Sequence, residues 1–162
     1  MKSFIFFLVV VFSLNVNAHT MSEDKIVDTY SEMEKQYKNF LRDTLSNRRQ
    51  FESFVEGEFE PAVKAMKEDL DKKTCEKCIS PYLRSLSLLE GSASESLTYG
   101  LMDIVRRHSD KVAKACKTLK VRDVKKLRIR FFTVFDYMKE EKNNSNEIAS
   151  LKEILQPCIN EN

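Results

Sequence analysis

The chain has 162 residues and a formal net charge of +2, with three glycines and three prolines. That length suits one domain with a single core, and a balance so near zero places no general demand on the chain for a polyanionic partner. With so few glycines and prolines, breaks between elements are rare and easy to place.

The first residues, MKSFIFFLVVVFSLNVNA, place Lys2 ahead of an uncharged apolar run from Phe4 to Leu14, with small Val16 and Ala18 at the −3 and −1 positions of a cut. The run is shorter than the roughly 20 residues that cross a hydrocarbon core. It reads as a secretory signal cleaved after Ala18, which makes residues 19–162 a single secreted domain. No later stretch is apolar enough to anchor it in a membrane. His19 would become the first residue, where amine and imidazole can chelate copper, but no second ligand lies near and an incidental terminus suffices.

Ile26, Tyr30, Met33, Tyr37 and Phe40 recur at steps of four and three, the stripe of an amphipathic helix. Leu45, Phe51, Phe54 and Val55 extend it past a break expected near Ser46–Arg49, and Gly57 should end it. Pro61 then opens a second helix with Val63, Met66 and Leu70 inward. The third begins at a Thr74 cap, or at Ser80 with Pro81 in its first position, carries Tyr82, Leu83, Leu86 and Leu89, and stops at Gly91. Ser92 and Glu95 form a capping box for a long fourth helix, burying Leu97, Leu101, Ile104, Val105, Val112, Ala115 and Leu119. Val121, Val124, Leu127, Phe131, Val134, Phe135 and Met138 define a fifth. Ile148, Leu151 and Leu155 give a short last helix halted before Pro157. Alternation that would mark strands is absent, as are internal repeats. The expected fold is all-α, a secreted antiparallel helical bundle of five to six helices stapled by two disulfides.

Cys75, Cys78, Cys116 and Cys158 all follow the signal, in a chain bound for an oxidising compartment. A thioredoxin-type pair would follow a strand, and a zinc site would need a second close-spaced pair; neither is present, so these are disulfide cysteines. Four cysteines allow three connectivities. Long loops gain more from closure than the tiny Cys75–Cys78 ring, so each of these two is expected to reach a distant partner, Cys116 or Cys158, at one pole of the bundle. The CEKC stretch is similar to one feature of saposin-like proteins. Those carry six cysteines and a second close pair, whereas here Cys158 stands alone and the gap from Cys78 to Cys116 is long, so the resemblance ends at CEKC and the helical texture. Secreted four-helix cytokines share length and helix count without a shared motif, which is analogy alone.

Charge is uneven. Residues 52–71 hold seven acids against Lys64 and Lys67, while residues 106–130 hold eleven bases against Asp110 and Asp123. VKKLRIR has the spacing of heparin-binding segments. On a helix, Arg122, Lys126 and Arg130 stack at intervals of four with Lys125 beside them, pointing outward from the Leu127–Phe131 face. Such a stripe suits sulfated glycans or anionic lipid headgroups; a solvated face balanced by the acidic segment explains it more simply. A secreted chain is remote from nucleic acid. His108 sits on the face of Ile104, Val105 and Val112, a half-buried core histidine rather than a catalytic base, since no nucleophile accompanies it. Phe131, Phe132, Phe135 and Tyr137 fit a core as well as a ligand pocket. No hydrolase, phosphate-loop, dinucleotide or metalloprotease motif occurs, and no cofactor is called for.

The expected function is therefore that of a secreted, non-enzymatic binding module, contacting an extracellular protein or polyanion through Arg122, Lys125, Lys126 and Arg130. A small apolar-ligand or lipid carrier is the alternative, separated by whether the interior encloses a cavity. Asn143 heads the only N-x-S/T sequon of the segment after the signal and is the expected glycosylation site.

Overall fold

A computed structural model describes residues 21–42, 45–72, 75–89, 95–141 and 144–160. The expected signal segment and cleavage point, His19, Thr74, Gly91, Ser92 and Asn143 lie outside them. Among the described residues all regular structure is helical: α1 (Glu23–Phe40), α2 (Leu45–Phe54), α3 (Glu60–Asp71), α4 (Ile79–Leu88), α5 (Glu95–Cys116), α6 (Val121–Glu140), α7 (Ser145–Ile154) and α8 (Gln156–Ile159). None of these helices is long and apolar enough to cross a membrane.

α1 forms where its local signals agree. The Ser22 hydroxyl accepts the Lys25 N–H at 3.3 Å, Glu23 and Asp24 complement the positive helix end, and Lys38 complements the negative one. Its stripe of Ile26, Tyr30, Met33 and Tyr37 is buried. The chain breaks just after Phe40, ahead of the expected place, so Ser46–Arg49 belong to α2 and Leu45 is exposed.

Gly57 does not end a helix. Residues Leu45–Asp71 run as one helical rod with a widened turn at Val55–Phe59, closed by the Glu60 N–H on the Val55 carbonyl five residues back. The cause is Pro61. In a regular helix its ring would press on the carbonyl of residue 57 and leave that acceptor without a donor. Widening one turn relieves the crowding without a stop. The extra residue also rotates Phe59 fully inward, against Tyr30 and Tyr82.

α4 starts at Ile79 after a single tight turn, Glu76–Cys78, so Pro81 occupies its third position rather than its first. The Ser85 hydroxyl donates to the Tyr30 carbonyl at 2.9 Å, satisfying a buried polar group while tying α4 to α1. α5 bends at His108, whose backbone leaves helical geometry at φ −138°, ψ 34°. α7 ends at Ile154, ahead of Pro157 as expected, but Pro157 does not close the helical structure. It lies in the first turn of α8, where a missing N–H costs nothing, and this turn carries Cys158 back to α5.

Buried side chains from all eight helices join one apolar cluster. α1 packs on α2, α3 and α4, and α6 packs on α4, α5, α7 and α8. Phe131 and Phe135 are core, whereas Phe132 is exposed, and Val121, expected inward, is 70% exposed.

The disulfides are Cys75–Cys78 and Cys116–Cys158, each with Cα atoms 5.4 Å apart. The expectation that Cys75 and Cys78 reach separate distant partners is corrected. Loop length ranks how much a closed bridge stabilises, but Cα separation decides which bridge can close. The tight turn at Glu76–Cys78 folds its own two cysteines within reach, and both are buried beside the start of α1. The pole itself exists: the Ser80 and Thr118 hydroxyls meet at 2.9 Å, joining the start of α4 to the turn that follows Cys116.

Candidate functional site

The second bridge pins the end of α5 to α8 and so fixes where the chain turns. The Thr118 hydroxyl donates to the Ala115 carbonyl at 2.7 Å and the Leu119 N–H to the Cys116 carbonyl at 3.2 Å, which closes the turn. Lys120 is extended, and its carbonyl accepts the N–H groups of Asp123 and Val124, starting α6. Residues 111–130, which this geometry folds back on themselves, hold nine bases and one acid, Asp123. Asp123 is buried and faces a cleft between α1 and α4; the Arg122 Nε lies 3.4 Å from its carboxylate. The opposite side of α6 is left to the cations.

Of the four residues expected to bind, three are exposed: Arg122, Lys125 and Lys126. Arg130 is different. It is half-buried and donates through Nη2 to the Leu89 carbonyl at the end of α4. Its outward orientation, expected from spacing of four, is corrected: each step of four rotates the position by about 40°, which carries residue 130 from the open face to the flank of the packed one. Arg130 is a clasp between helices. Arg130→Ala should therefore destabilise the protein by about 1–2 kcal/mol in urea denaturation, while Lys125→Ala, an exposed side chain with no ion pair among the described residues, should stay within about 0.5 kcal/mol.

Three further bases belong to the same surface and were missed: Lys117 and Lys120 in the turn, and Arg128, three residues after Lys125. The turn lysines lie between α5 and α6, so periodicity within either helix does not place them on this surface. The i,i+3 relation of Lys125 and Arg128 was legible. Among the described residues, the side chains of Lys117, Lys120 and Lys125 have no hydrogen bond or ion pair. Beside them, an open cleft of about 320 Å³ lies against the Cys116–Cys158 bridge, floored by Leu119, Val121, Val124 and Pro157. The Arg128 guanidinium sits 5.7 Å from the ring centroid of Phe132, one turn further along.

The acidic segment turns elsewhere. Glu58 pairs with Lys25 at 3.6 Å, and Asp71 with both Arg107 at 3.1 Å and His108 Nε2 at 2.9 Å. Lys67 bonds Asp103 and, with the nearby arginines, holds that carboxyl below the usual range. His108 is thus half-buried and paired with a carboxylate at the bend of α5. One metal-capable group, Glu23 with Cys75 and Cys78, occurs among the described residues. Its two sulfurs are bonded to each other, which leaves no thiolate to coordinate an ion.

The chain matches no protein-family model, no curated protein and no solved structure.

Proposed function

We propose that the protein is a secreted binding module, an antiparallel helical bundle held by two disulfides, that engages an extracellular polyanion of the sulfated glycan class. Contact runs across the turn after α5 and the first half of α6, through Lys117, Lys120, Arg122, Lys125 and Lys126. The observation that carries this reading is the block of nine bases on residues 111–130 with one acid, the buried Asp123; Lys111 and Lys114 lie 3.7 and 3.9 Å from Glu76, whereas Lys117, Lys120 and Lys125 have no ion pair among the described residues. Exposed cations within a Debye length, about 10 Å at 0.1 M salt, reinforce one another's potential, and the positive end of α6 adds to it. The simpler account, neutralisation by the acidic segment, is disfavoured because α3 packs on α1 and α5, whereas α6 packs on α4, α5, α7 and α8. Binding rather than catalysis fits a surface without a nucleophile or paired general acid and base. A glycan at Asn143, between α6 and α7, belongs to the same secreted reading.

Heparin chromatography of the folded protein tests it. Wild type should be retained above physiological salt, and Arg122→Glu/Lys126→Glu should elute with the void at unchanged helicity. Lys64→Glu/Lys72→Glu makes the same charge change on two exposed lysines, one within and one just after the acidic segment, and should elute close to wild type. Equal loss in both double variants, or wild type unretained at physiological salt, would reduce the basic surface to a solvated face.

A further inference from the structure

We infer that the cleft against the Cys116–Cys158 bridge is a binding site for a single-chain anionic amphiphile, a medium-chain carboxylate whose tail lies on the apolar floor and whose head is held by Lys117, Lys125 and Arg128. This site overlaps the polyanion surface at Lys117 and Lys125 but is defined by the apolar cleft, and it does not rest on that reading.

The floor carries the first half of the argument. Val121 is 70% exposed at the start of α6, as Ile129 and Phe132 are exposed further along, and unlike them it lies with Leu119, Val124 and Pro157 around one concavity. An open apolar concavity beside a rigid covalent bridge is preformed, so a ligand need not spend binding energy on ordering it. At about 320 Å³ the cleft stands at the lower end of the roughly 300–1,000 Å³ of small-molecule sites. That is room for one chain and too little for a diacyl lipid.

The rim carries the second half. Every charged residue lining the cleft is a cation, Lys117, Lys125 and Arg128, and Asn160 adds an amide. The two lysines have no ion pair among the described residues, so their charge is uncompensated at the edge of an apolar surface. A neutral apolar ligand would leave that charge unused, and a sulfated polymer would leave the floor unused. An alkyl carboxylate uses both. Its two oxygens accept from the ammonium groups and the guanidinium, as charge-assisted hydrogen bonds, while its methylenes displace water from the valines, leucine and proline.

Calorimetric titration of the folded protein with octanoate, decanoate and laurate, each below its micellar concentration, decides the matter. Saturable binding of one chain per protein is expected, with affinity rising about fourfold per added methylene until the floor is covered. Decanol should bind at least tenfold more weakly than decanoate. Lys117→Gln/Val121→Gln changes two exposed side chains and should weaken laurate at least tenfold at unchanged helicity. Arg122→Glu/Lys126→Glu, which removes heparin retention, should change laurate affinity less than threefold. This last comparison separates failure of this site from failure of the polyanion surface. The inference is overturned if affinity ignores chain length, if decanol equals decanoate, if Lys117→Gln/Val121→Gln binds as wild type, or if the protein binds only anionic bilayers and not monomeric laurate.

Discussion

Replacing Cys116 and Cys158 together by alanine should lower the stability of the protein by about 4 kcal/mol, against about 2 kcal/mol for the same change at Cys75 and Cys78. The first bridge joins residues 42 apart in sequence and the second residues 3 apart. In the chain-entropy account, a cross-link stabilises by restricting the unfolded chain, and the restriction grows with the logarithm of the loop. The long bridge also ties the short α8 to α5, with the Cys158 sulfur 3.8 Å from the Val112 carbonyl. Urea denaturation of the two double variants measures the difference. Non-reducing peptide mapping should meanwhile return one closed Cys75–Cys78 ring and one Cys116–Cys158 linked pair. Equal destabilisation by the two replacements would mean that the native state, not the loop, sets the value of each bridge.

Alkaline unfolding should set in soon after pH 10 and be steep. Tyr30 and Tyr82 lie in the core with ring centroids 5.5 Å apart, and Tyr30 donates to the Met66 sulfur at 3.4 Å. Burial pushes both phenols far above their usual range, with the neighbouring Tyr82 adding to the effect on Tyr30. A phenol whose folded pKa is raised keeps its proton in the folded state and releases it in the unfolded one. Its contribution is therefore intact below the unfolded value of about 10 and is lost as pH climbs beyond it. Each such group removes about 1.4 kcal/mol per pH unit, so the pair should remove roughly 5 kcal/mol by pH 12. That is comparable with the whole stability of many domains, about 5–15 kcal/mol. Phenolate absorbance followed against pH should show two of the five tyrosines silent until helicity is lost, then ionising together with unfolding. Tyr82→Phe should reduce the steepness by about half. Five tyrosines titrating smoothly near pH 10 in helical protein would contradict the buried pair.

Much of the helical architecture was legible in the amino-acid order, for a local reason. The stripe of Ile26, Tyr30, Met33 and Tyr37 and the inward face of Leu127, Phe131, Val134 and Phe135 each depend on spacing within a few turns. Rotation per residue is a constant of the helix, so face and periodicity follow from sequence separation alone. Local rules failed where a breaker could be absorbed. Gly57 and Pro61 promised a stop, but one widened turn accommodates the ring and lets the rod continue through Phe59 into the aromatic core. Pro157 does follow the end of α7, but a first helical turn tolerates it, and the short α8 that contains it was not expected.

That the regular structure of this chain is helical among the described residues, that residues 4–14 are an uncharged apolar run, and that bases crowd residues 106–130 were properties of the sequence by itself. Which cysteines meet, that Arg130 clasps the end of α4 instead of facing outward, and that Lys117, Val121 and Pro157 share one cleft were decided by tertiary structure. The physical reason is distance in the chain. Cys116 and Cys158, or Leu89 and Arg130, lie some 40 residues apart, and their encounter depends on how every intervening helix packs. No window of a few turns contains that information.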